Sequence, residues 1–100
     1  MNVTEEEKEE LYEIIGRLAC DCDVFAFGSR VTGTNRKFSD LDLAFILPDN
    51  KKMPAKQWNK LKYAFELSDL QFRVDIVDYN CCEDYFKKII DGGVKFFSGR

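Results

Sequence analysis

The chain has 100 residues, 45% hydrophobic and 33% charged, a soluble globular balance that argues against long disorder and leads us to expect one domain, 1–100, around a single core. Its formal net charge of −3 does not draw nucleic acid to the fold as a whole, so no direct nucleic-acid binding is expected, and any nucleotide contact must come from a local basic patch. The absence of histidine removes Ser-His-Asp and Cys-His catalysis and the commonest metal ligand, leaving carboxylates that favour a hard cation such as magnesium.

The first ten residues, MNVTEEEKEE, are acidic where a signal peptide is basic and then apolar. No stretch approaches the roughly 18 to 20 apolar residues that a membrane span needs, so a cytoplasmic protein without membrane contact is expected. Thr4 followed by Glu7 has the form of a capping box, and Leu11, Ile14, Ile15 and Leu18 recur at helical spacing, which predicts a first helix with one face on a core. Val24 to Phe27 reads as a short strand ending in Gly28-Ser29. A loop or short helix follows, carrying Arg30, Gly33, Arg36 and Lys37.

A second strand is expected over Leu41 to Leu47, stopped by the turn chemistry of Pro48-Asp49-Asn50. Alternation puts Leu41, Leu43, Phe45 and Leu47 on one face and Asp40, Asp42, Ala44 and Ile46 on the other, so both acids share a side. Pro54 is placed like a first-turn helix proline, with Trp58, Leu61, Ala64 and Phe65 following as an apolar stripe suited to core packing. Phe72 to Val77 predicts a third strand, with Arg73, Asp75 and Val77 on one face. A last helix over Cys82 to Ile90, with Tyr85, Phe86, Ile89 and Ile90 as apolar positions, stops at Gly92-Gly93, and Val94 to Phe97 forms a closing strand or an apolar tail. Cys20, Cys22, Cys81 and Cys82 do not match the spacing of common zinc knuckles and read as reduced thiols.

Asp40, Asp42 and Asp75 are acids set in strands that otherwise read as buried. Taken singly, Asp40 suits a turn, Asp42 an edge strand facing water, and Asp75 a pair with Arg73. Three carboxylates close together repel one another, and a divalent ion removes that conflict. The group has the composition to hold two magnesium ions, while Gly28 lets backbone approach a triphosphate and Ser29 donates to its oxygens. Arg30, Arg36 or Lys37 would neutralise the remaining phosphate charge, Arg30 ranking first. A P-loop over Gly28 to Gly33 is excluded, because Thr34 stands where its lysine is needed.

Gly28-Ser29, ten residues, Asp40-x-Asp42 and Asp75 in VDIVD together resemble the DNA polymerase beta type nucleotidyltransferase superfamily. The GSRVTG, SDLDLA and ELSDLQFRVDIVD stretches are similar in particular to its minimal members, the MNT proteins of HEPN/MNT modules. The resemblance implies an α/β (α+β) palm-like fold, a small mixed sheet of three to five strands with helices against it. It also implies magnesium, ATP as donor, and transfer of AMP to a tyrosine of a HEPN-domain toxin encoded nearby, in a hetero-oligomer. Carried over by position, Gly28 and Ser29 would hold the triphosphate, Asp40 and Asp42 would ligate both metals, and Asp75 would ligate one and help deprotonate the acceptor hydroxyl. Two alternatives stand beside this: a nucleotide-binding antitoxin that inhibits by occlusion, and an enzyme modifying a small molecule as antibiotic nucleotidyltransferases do.

Overall fold

A computed structural model describes residues 2–33 and 40–99. Helix α1 (Glu5–Leu18) begins as expected: the Thr4 hydroxyl accepts from Glu7 N–H while Glu7 Oε1 accepts from Thr4 N–H, closing the capping box. Strand β1 (Asp23–Phe27) leads through Gly28 into a single helical turn, α2 (Ser29–Thr32). Strand β2 (Leu41–Ile46) is followed by a tight turn at Pro48–Asn50, where Asp49 and Asn50 take positive φ. Helix α3 (Ala55–Glu66) starts one residue after Pro54, which sits at the cap position rather than inside the first turn. Strand β3 (Val74–Asp78), helix α4 (Asp84–Asp91) and strand β4 (Val94–Phe97) complete the chain.

Among the described residues four strands form one sheet in the order β3-β2-β1-β4. β1 runs antiparallel to both β2 and β4, whereas β2 and β3 are parallel, α3 lying in the crossover between them. The closing segment is thus a strand, not a tail.

The alternation in β2 decides what each face of the sheet does. Leu41, Leu43 and Phe45 are fully buried with Val24 and Ala26 of β1, against Leu11, Ile14 and Ile15 of α1 and Leu61 and Phe65 of α3. Ala44, on the opposite face, packs with Phe27 and with Ile90 of α4 in a smaller cluster. The acids belong to this second face, where α4 gives only partial cover. Two expectations change here. Tyr85 and Ile89 of α4 are exposed, because the helix seats only its Phe86 and Ile90 stripe on the sheet. Asp75 is half exposed, because β3 is an edge strand.

Candidate active site

Asp42 lies in β2 directly beside Asp75 in the parallel β2–β3 register, while its antiparallel neighbour on the other side is Phe27 of β1. Two aspartates thus leave the same face of adjacent strands, whose backbones lie about 4.8 Å apart. Asp40 immediately precedes β2, two residues before Asp42 and on the same face. Burial first, and then the neighbouring charges of Asp75 and Asp40, hold the Asp42 carboxyl above its ordinary value.

Gly28 closes the other side. Its backbone (φ 87°, ψ −162°) lies in a region open to glycine, and a Cβ there would collide with Asp42 Oδ2. Glycine is therefore required on two counts, conformation and space. The turn that follows is held by Val31 N–H and Thr32 N–H to the Gly28 carbonyl and by Gly33 N–H to that of Ser29, which sets Ser29 at the start of the turn beside the acids.

Arg30 has a different setting from the one expected of a phosphate ligand. Its side chain is buried, with one guanidinium nitrogen donating to the Asn2 carbonyl at 2.8 Å and the charge lying 4.1 Å over the Phe72 ring. Asn2 N–H in turn donates to the Arg30 carbonyl at 3.0 Å. Arg30 thereby ties the Gly28-Ser29 turn to the N-terminal segment and to the residue preceding Arg73. Nothing local to GSRVTG marks these two contacts, because Asn2 and Phe72 come from elsewhere in the chain. Arg36 and Lys37, the other basic candidates, lie outside the described residues.

Arg73 reaches two of the three acids. One of its guanidinium nitrogens stands 3.7 Å from Asp40 Oδ2 and 3.5 Å from Asp75 Oδ1. The pairing with Asp75 was one of the single-residue expectations, but the reach to Asp40 depends on the parallel register. Beside this arrangement a recess of about 280 Å³ is lined by Lys62, Glu66, Arg73, Val74 and Asp75.

The donor set fits a divalent cation. It is oxygen-only, burial and then mutual repulsion raise the proton affinity of its central member, and the missing side chain at Gly28 clears the approach to Asp42 Oδ2. Among the described residues no three acidic or thiol groups already stand at metal-ligand spacing. A cation would have to draw the aspartates together, displacing the pull of Arg73.

Known proteins resemble the chain over most of its length. The family described as polymerase beta, nucleotidyltransferase, matches residues 22–99, from the approach to β1 through β4. The chain is 40% identical over 90 residues to a Haemophilus influenzae protein named "Probable protein adenylyltransferase MntA", covering 90% of this chain and 77% of that one. Among solved structures, one described as a crystal structure of a toxin-antitoxin with AMP-PNP superposes with a TM-score of 0.73 at 20% identity, covering 93% of this chain and 73% of that chain, which establishes a shared fold. With the matched segment holding the glycine turn and all three aspartates, the chain belongs to the polymerase beta nucleotidyltransferase family.

Proposed function

We propose that the chain transfers AMP from ATP to a hydroxyl, specifically a tyrosine of a HEPN-domain toxin, and so acts as the antitoxin of that pair. The register that sets Asp42 beside Asp75, under a glycine whose Cβ would strike Asp42, carries the assignment. The relative named as a protein adenylyltransferase, and the toxin-antitoxin structure with AMP-PNP, support the choice of donor and of a protein acceptor.

In this reading the Gly28-Ser29 turn receives the triphosphate, the Ser29 hydroxyl and amide donating to its oxygens. Asp40, Asp42 and Asp75 would hold magnesium, which supplies charge neutralisation for the pentavalent phosphorus and the departing pyrophosphate. The acceptor oxygen attacks the α-phosphorus, forming the new P–O bond as the bond from the α-phosphorus to the α,β-bridging oxygen breaks and pyrophosphate leaves. Asp75 takes the hydroxyl proton. It suits that task because it is the most open of the three acids and borders the recess at the sheet edge. Arg30 enters as an anchor of the turn rather than as a phosphate ligand.

A second reading, inhibition of the partner by occlusion alone, is favoured by the exposed Tyr85 and Ile89 of α4, an apolar strip that a partner could cover. Incubating the purified pair with labelled ATP and magnesium, followed by mass spectrometry of both chains, separates the two. AMP on the partner supports transfer. An inhibited but unmodified partner supports occlusion.

A further inference from the structure

We propose that Arg73 is a built-in counter-cation of the acid cluster, occupying in the metal-free protein the charge that divalent ions take over, and so setting the metal concentration the site demands. The inference rests on the acid cluster being the metal site, as argued under the proposed function.

Three features of the structure converge on it. The Arg73 guanidinium stands within 3.5 Å of Asp75 Oδ1 and 3.7 Å of Asp40 Oδ2, so one nitrogen serves two of the three aspartates. The backbone beneath it is pinned, since the Arg73 carbonyl accepts from Leu41 N–H at 2.8 Å, between Asp40 and Asp42 in sequence. The side chain itself is 78% exposed and can swing without disturbing the core. A cation approaching Asp40 and Asp75 meets oxygens already engaged with a positive charge, and like charges cannot share them at such separations.

The recess next to the cluster gives the displaced guanidinium a destination. Glu66 lines it together with Arg73 and Asp75, offering a carboxylate on α3 outside the proposed ligand set, with Lys62 beside it as the opposing charge. Exchange of one cation for another therefore needs rotation of the Arg73 and aspartate side chains and no movement of the sheet. Any contact that stabilises the metal-free state and is lost on loading weakens metal binding by the same factor.

The test is calorimetric titration of the full chain with manganese(II) as a magnesium mimic, in the absence of nucleotide. Arg73→Gln is expected to bind manganese roughly three- to tenfold more tightly than the parent chain, given two exposed ion pairs, with the difference shrinking as salt rises. Arg73→Lys, which keeps the charge, is expected to lie closer to the parent chain than to Arg73→Gln. Without metal, Arg73→Gln melts below the parent chain, and the gap closes in saturating manganese. Equal or weaker manganese binding by Arg73→Gln overturns the proposal. Asp42→Asn keeps the two failures apart: if it loses manganese binding while Arg73→Gln matches the parent, only the role of Arg73 falls. If it binds manganese as the parent does, the acid cluster is not the metal site, and the proposed function falls with it.

Discussion

Replacing Gly28 by alanine tests the join between fold and chemistry, because the two demands on that residue have separate consequences. The backbone there (φ 87°, ψ −162°) is a region that side chains other than glycine enter at a cost of about 1–3 kcal/mol. The added Cβ would also overlap Asp42 Oδ2, with Asp42 Cγ 3.3 Å away, so the carboxylate must turn aside from its place next to Asp75. Gly33 supplies the control. It too has positive φ, at 80°, but a Cβ there meets nothing within 4 Å. Gly33→Ala should therefore lose about 1–2 kcal/mol in urea unfolding and keep its transfer rate per folded molecule. Gly28→Ala should lose about 2–4 kcal/mol, strain and displacement together, and its AMP transfer should fall on the order of a hundredfold, as expected when a reacting group is displaced by an ångström. A Gly28→Ala protein as stable as Gly33→Ala, with transfer intact, would refute the placement of Gly28 over Asp42.

Arg30→Met should destabilise the chain by about 1–3 kcal/mol in urea unfolding, through loss of the bond to the Asn2 carbonyl and of the charge over Phe72. Unchanged stability with loss of ATP binding would return Arg30 to the phosphates. The raised Asp42 carboxyl means the folded chain holds more protons than the unfolded one between the ordinary carboxylate value and the raised value. Metal-free stability should therefore fall as pH rises through that window, and urea midpoints of Asp42→Asn against the parent chain should show the slope removed. Burial, with Asp21 beside it, pushes the Cys22 thiol up to about 12, so iodoacetamide at pH 8 should leave Cys22 unmodified while labelling exposed Cys20. Labelling of both at one rate, read by peptide mass spectrometry, would contradict the packing around Cys22.

Much of the site is legible without coordinates, and the physical reason is periodicity. A strand alternates strictly, so Asp40 and Asp42 must share a face, and the leucines between and after them must share the other. The capping box at Thr4 and Glu7 is equally local, as is the need for glycine before Ser29. Pairing between strands is another matter. That β2 and β3 are parallel neighbours, with Asp42 against Asp75, depends on how α3 crosses over the sheet, which no local pattern records. The same crossover makes β3 an edge, leaving Asp75 more exposed than a strand acid flanked by Val74 and Ile76 suggests. Arg30 illustrates the limit from the other side. A basic residue after Gly-Ser reads as a phosphate ligand, yet Arg30 also meets Asn2 and Phe72, which are brought to it only by the fold. The reach of Arg73 to Asp40 is hidden for the same reason. In α4 the four apolar side chains are plain in the sequence, but which of them seat on the sheet is not: Phe86 and Ile90 pack against it, while Tyr85 and Ile89 are exposed.

The most direct measurement is AMP transfer by Asp42→Asn beside the parent chain, each purified with the proposed toxin partner and supplied with labelled ATP and magnesium. Asp42 sits at the centre of the acid group and is only partly exposed, so asparagine preserves shape while removing the charge. The parent chain should place AMP on a tyrosine of the partner, and Asp42→Asn, with an unchanged unfolding profile at low pH, should place none. Undiminished transfer by Asp42→Asn would contradict the account at its root.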